Sequence, residues 1–205
     1  MWRYRRRLKA DDRSLTEILV VQGTVRDGRK SIHPARYVTD RFHEKGHDVE
    51  LFDMKDYEIP LFRNRRDAVS DPHPDVDEFG QKVEAADALV IVAPEYNHSI
   101  PGTLKNLLDH LFPEYEDKPF SYVTVSAGGF GGVRALSHLH DITLEFNAHP
   151  GPDLPVSNVR DAFDEDGTLI DETYEDRFEE FIEAVVDHAE QFVPSAIDTN
   201  PETSA

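Results

Sequence analysis

The chain has no cysteine among its 205 residues. That excludes disulfides, thiolate nucleophiles, and iron–sulfur or cysteine-ligated zinc sites. It is compatible with a reducing compartment, and a cytoplasmic protein is the expectation. No stretch approaches the ~18 apolar residues of a membrane span, so a soluble body without a membrane partner is expected. Positive charge is scarce: 22 Lys and Arg stand against 41 Asp and Glu, a formal net charge of −19. Such a chain repels the backbone of a nucleic acid, which removes that class of partner. The acidic residues run through the whole sequence rather than forming one tail. Together with aromatic residues and buried-strand patterns, this predicts a folded domain with an acidic surface, as halophilic proteins have.

The ten histidines do not form a metal pattern. His138 and His140 are two apart and point to different helix faces. His43-Glu44-Lys45-Gly46-His47 has the H-E-x-x-H spacing, but Gly46 ends the helix between the two histidines, so they do not share one helical face. No metal site is expected. Asn97-His98-Ser99 matches a glycosylation sequon by coincidence, and Ser99, His98 and Asp109 form no hydrolase triad because G-x-S-x-G is missing.

Residues 1–14 are basic and lack the apolar core of a secretory signal; they are read as a flexible arm. Residues 15–193 form one domain and 194–205 a frayed tail. Aliphatic runs predict strands at 15–21, 48–52, 88–93 and 120–126, with a short fifth at 151–157. Helical periodicity predicts helices over 34–43, 75–86, 104–111, from 133 to about 146, and 174–192. Residues 53–74 read as a long irregular segment carrying Arg63, Arg65 and Arg66. Strands alternating with helices give right-handed βαβ units. The expected fold is flavodoxin-like: a doubly wound parallel five-stranded sheet of order 2-1-3-4-5, with helices on both faces. In that topology the loops after the first and third strands face each other across the switch point, where ligands bind.

The second of those loops is Pro94-Glu95-Tyr96-Asn97-His98-Ser99-Ile100-Pro101-Gly102, followed by Leu104-Lys105-Asn106 and Asp109. It resembles the signature of the NADPH-dependent FMN reductase family, which includes quinone, azo-dye and chromate reductases. The first loop, Gly23-Thr-Val-Arg-Asp-Gly-Arg-Lys-Ser31, leads into a helix N-terminus, where a phosphate can rest on backbone N–H groups. It is similar to the loop by which that family holds the FMN phosphate. The resemblance implies that Thr24, Arg26, Arg29 and Ser31 bind the phosphate. Pro94, Glu95, Tyr96, Asn97 and His98 would lie against the isoalloxazine ring. A third loop, Ser126-Ala-Gly-Gly-Phe-Gly-Gly132, would border the ring and the nicotinamide through Ser126, Gly128 and Gly129.

Two other readings compete. The first loop approximates G-x-x-x-x-G-K-[ST], but Arg29 displaces Lys30-Ser31 by one position and Ala93-Pro94 replaces a Walker-B acid, which weakens a P-loop NTPase. A flavodoxin-type electron carrier would bind FMN without NAD(P)H activity. The resemblance favours an enzyme carrying electrons from NADPH or NADH through FMN to a small acceptor such as a quinone, azo compound or free flavin. It also implies a homodimer or homotetramer. The flavin would carry the chemistry, so no side chain is expected to be catalytic.

Overall fold

The computed structural model describes residues 16–192. The predicted N-terminal arm and C-terminal tail, with Leu15 and Val193 at the edges of the domain, lie outside the described residues.

Five parallel strands form one sheet in the order β2-β1-β3-β4-β5, as expected. They are β1 (Glu17–Gln22), β2 (Asp48–Asp53), β3 (Ala88–Pro94), β4 (Pro119–Val125) and β5 (His149–Val156). Every residue of β3 and β4 is buried, which is why these segments read as unbroken hydrophobic runs rather than alternating ones. Alternation persists in where the side chains point. Leu89, Ile91 and Ala93 join the core on one face of the sheet, and Val90 and Val92 the core on the other.

The first face is covered by α2 (Pro74–Ala85), α3 (Gly102–Asp109) and α4 (Val133–Glu145), through Phe79, Val83, Leu104, Leu107, Leu108 and Leu139. The second is covered by α1 (Ile32–Glu44) and α6 (Glu175–Phe192), through Val38, Phe42, Phe178, Phe181 and Val185. A one-turn helix, α5 (Val159–Ala162), leads into a bridge between Phe163 and Leu169. The sequence pattern does not show this short helix, because four residues are too few to express a helical period. Leu111 is buried as expected but lies beyond the end of α3.

The long segment 54–73 contains two single turns of 3-10 helix and is pinned at two places along its path. The Asn106 side chain accepts from the Phe62 N–H at 2.9 Å and donates to the Pro60 carbonyl at 2.8 Å. The Arg66 guanidinium meets Asp77 at 2.8 Å, Glu84 at 2.6 Å and Glu114 at 3.0 Å. The start of the segment meets the loop after β1 through Lys55 and Asp27. Among the described residues, no helix is long and apolar enough to cross a membrane.

Candidate active site

At the exit of β1 the chain must pass very close to α3. The Gly23 N–H donates to the Val92 carbonyl at 2.9 Å, and a side-chain carbon at Gly23 would lie 2.8 Å from Leu104 Cδ2. Any larger residue here would force Leu104 to shift. Thr24 follows, buried, with its hydroxyl oxygen accepting from the Arg26 N–H at 3.3 Å. Arg26 is exposed, and no carboxylate among the described residues pairs with it; its guanidinium lies 5.7 Å from the centre of the Tyr96 ring. Ser31 occupies the N-cap position of α1 yet makes no side-chain bond to the helix, and the first turn contains no acidic residue. The first N–H groups of α1 and its positive dipole end thus face the loop without an internal anion.

Arg29 binds Asp53 through one terminal nitrogen, with both side chains about nine-tenths buried. Its Nε is buried and has no hydrogen-bond partner among the described residues, a donor left open in a protein interior. Beside this pair, Lys55 bonds Asp27 at 2.7 Å and holds that carboxyl below its ordinary value. The beginning of the 54–73 segment is thereby tied to the first loop.

The second loop leaves β3 at Pro94, and the Glu95 N–H donates to the Val125 carbonyl at 2.9 Å. Tyr96 and Ser99 then exchange backbone bonds of 2.9 and 3.1 Å around a tight turn. Its central residues have positive φ, Asn97 at 50° and His98 at 65°, as a type I′ turn demands. Asparagine tolerates this region better than most residues, and histidine is also enriched in it. Both are exposed at the tip. The Tyr96 hydroxyl lies 3.1 Å from Thr24 Oγ1 and joins the two loops across the switch point.

Glu95 faces elsewhere. Its carboxylate accepts from the Arg134 N–H at 3.1 Å and the Arg134 guanidinium at 3.4 Å, binding the start of α4. Ser99 Oγ lies 2.9 Å from His138 Nδ1 on the same helix.

In the third loop, the Ser126 hydroxyl donates to the Gly128 carbonyl at 2.7 Å, and the Asn158 N–H donates to the same oxygen at 2.9 Å. Gly128 and Gly129 are exposed, and a side chain at either would meet nothing within 4 Å. The need for glycine falls instead on the pair beyond Phe130. Gly132 has φ +82°, and a side-chain carbon there would sit 3.0 Å from Thr124 Cβ. Phe130 is 69% exposed at the rim, with the Arg134 guanidinium 5.3 Å from its ring centre.

The structure therefore brings all three loops to one edge of the sheet and links the first two directly. Gln22 and Arg134 also belong to this edge, and sequence reasoning passed over both. Gln22 follows directly on the strand expected at 15–21, and Arg134 falls within the helix expected from 133 without any motif to mark it. A groove of about 420 Å³, lined by Phe62, Arg65, Phe112, Ile142 and Phe146, lies between α3 and α4 and includes none of the site loops.

A family profile described as NADPH-dependent FMN reductase matches residues 16–161, which span all three loops. The chain belongs to the NADPH-dependent FMN reductase family. It is 35% identical over 146 residues to an NAD(P)H-dependent FMN reductase of Pseudomonas aeruginosa, covering 68% of this chain and 77% of the relative. An FMN-dependent NADPH-azoreductase of Staphylococcus haemolyticus is 29% identical over 176 residues, covering 82% and 92%. Among solved structures, the flavoenzyme FerB of Paracoccus denitrificans superposes with a TM-score of 0.72 over 87% of this chain and 99% of that one, at 21% identity. That likeness supports the flavodoxin-like fold.

Membership in the FMN reductase family makes the chain an oxidoreductase with FMN as cofactor and NADPH or NADH as electron donor. The residues present fit that cofactor. Among the described residues, the N-terminus of α1 has no side-chain cap, Arg29 Nε has no hydrogen-bond partner and Arg26 no carboxylate partner, a donor set suited to a phosphate dianion.

Proposed function

We propose that the first loop holds the FMN phosphate and the second and third loops hold the isoalloxazine ring. When bound, FMN would supply the redox chemistry, taking a hydride at N5 from NAD(P)H and returning two electrons to a small acceptor such as a quinone, azo compound or free flavin. The chain's own groups position and enclose it. Thr24, Arg26, Arg29 and Ser31 surround the phosphate, with Arg26 as the exposed charge and Arg29 oriented by Asp53. Pro94 and Tyr96 pack near the ring, and the turn Asn97-His98 offers backbone groups to its polar edge. Glu95 acts at one remove, fixing α4 against the second loop. Ser126, Gly128 and Gly129 border the ring on the far side.

The observation that carries this reading is the open donor set at the N-terminus of α1, directly joined to the second loop by Thr24 and Tyr96. It is tested by comparing FMN with riboflavin, which lacks the phosphate. Losing a charge-assisted contact costs about 1.5–3 kcal/mol, or one to two decades in affinity. In Arg26→Ala, FMN affinity should fall by that amount while riboflavin affinity holds. Equal FMN affinity in the folded variant would reject the assignment of this loop.

A further inference from the structure

Gln22 is a polar side chain that follows the aliphatic run Ile18–Val21 of β1, and it is fully buried. A buried amide needs partners at both ends. Its Oε1 accepts from the Thr24 N–H at 2.8 Å, and its Nε2 donates to Ser31 Oγ at 2.7 Å. The orientation of the amide is dictated by chemistry. The Thr24 N–H can only donate, so the oxygen must face it and the NH2 group must face Ser31. Ser31 Oγ consequently accepts, and its own proton must leave in another direction. No acceptor among the described residues receives that proton, and the hydroxyl makes no cap bond to α1.

We infer that Gln22 is a positioning residue for the cofactor phosphate: by donating to Ser31 it turns the serine proton outward, so that Ser31 presents a donor to an anion at the N-terminus of α1. This rests on the assignment of the first loop to the phosphate. A neutral amide is the group the task needs. A carboxylate could still accept from Thr24, but its second oxygen would accept the Ser31 proton and remove the donor. It would also bring a negative charge beside the anion. An apolar side chain would leave Ser31 free to rotate.

The test uses the apo-protein titrated with FMN and with riboflavin, read by flavin fluorescence, together with the thermal midpoint. Gln22→Met and Ser31→Ala should each lower FMN affinity by about tenfold or more while leaving riboflavin affinity unchanged. Because Gln22 acts through Ser31, the double variant should lose no more than Ser31→Ala alone. Gln22→Glu, which keeps size and the bond from Thr24, should lose at least as much FMN affinity as Gln22→Met, and it carries the test if Gln22→Met does not fold. An unchanged FMN-to-riboflavin ratio in the Gln22 variants, equal losses for both flavins, or additive losses in the double variant would overturn the inference. Should Arg26→Ala and Ser31→Ala also leave the ratio unchanged, the loop assignment itself falls. Should they lower it while the Gln22 variants do not, only the role of Gln22 is lost.

Discussion

The Tyr115 ring packs against Phe146 and Phe120 in the core, a role any aromatic would fill. Its hydroxyl is fully buried and has no partner among the described residues, and burial pushes the phenol well above its ordinary pKa. An unsatisfied buried polar group costs about 1–3 kcal/mol. Tyr115→Phe should therefore raise the thermal midpoint, by about 2–4 °C for each kcal/mol recovered in a domain of this size. A lower midpoint by calorimetry would mean the hydroxyl is satisfied in solution. Gln22 is the opposite case, a buried polar group whose every described bond bears on the site. The motif around Gly23–Ser31 is legible because its residue types announce donors. Gln22 is not, since one glutamine after an aliphatic run carries no such signal.

At the scale of elements, the strands and the three loops were readable because their information is local: hydrophobic runs, glycines and prolines at short spacing. What holds segment 54–73 was not. Arg66 reaches carboxylates 11, 18 and 48 positions away, and nothing in three neighbouring arginines says which one will be buried. Glycine content likewise marked the third loop, but the stringent positions are Gly131 and Gly132, which the backbone dihedrals and the close approach of neighbouring atoms reveal.

The start of α1 brings a pH dependence. His33 stacks on Phe163 and touches the turn at Gly167; burial first, then Lys30 and Arg36, hold its pKa below the ordinary 6.5. Burial likewise lowers His47. A histidine with a depressed folded pKa binds its proton more readily when unfolded. Its contribution is thus intact above 6.5 and lost as pH falls below it. The thermal midpoint should decline between pH 7.5 and 5.5, and the decline should shrink in His33→Gln/His47→Gln. An identical slope in that variant would assign the acid sensitivity to other groups.

For the molecule as a whole, 41 acidic residues against 22 basic ones set a self-repulsion that opposes compaction. The site presents cations at its rim, so an incoming phosphate crosses a negative field to reach a locally positive target. Screening length falls from about 30 Å at 0.01 M salt to about 3 Å at 1 M. We expect both the thermal midpoint and FMN retention to rise with potassium chloride at constant pH. A flat response in both would show that the acidic surface is already compensated by its ion pairs, and it would remove the inference of a high-salt habitat.

The anchoring of segment 54–73 has a consequence for the continuity of the chain itself. Arg63, Asn64 and Arg65 are exposed between two fixed points, the Asn106 contacts before them and the Arg66 cluster after them. Trypsin should nick this stretch early, yet neither new end is released from its anchor. The fragment carrying β1 and β2 stays in the sheet through the pairing of β1 with β3, from Ile18 opposite Ala88 to Gln22 opposite Val92. The nicked protein should elute from a sizing column as one particle and separate into two bands only under denaturant, so the two halves could be produced apart and allowed to reassemble. Such a molecule would hold its fold by surface complementarity alone, with the covalent link between its halves dispensable.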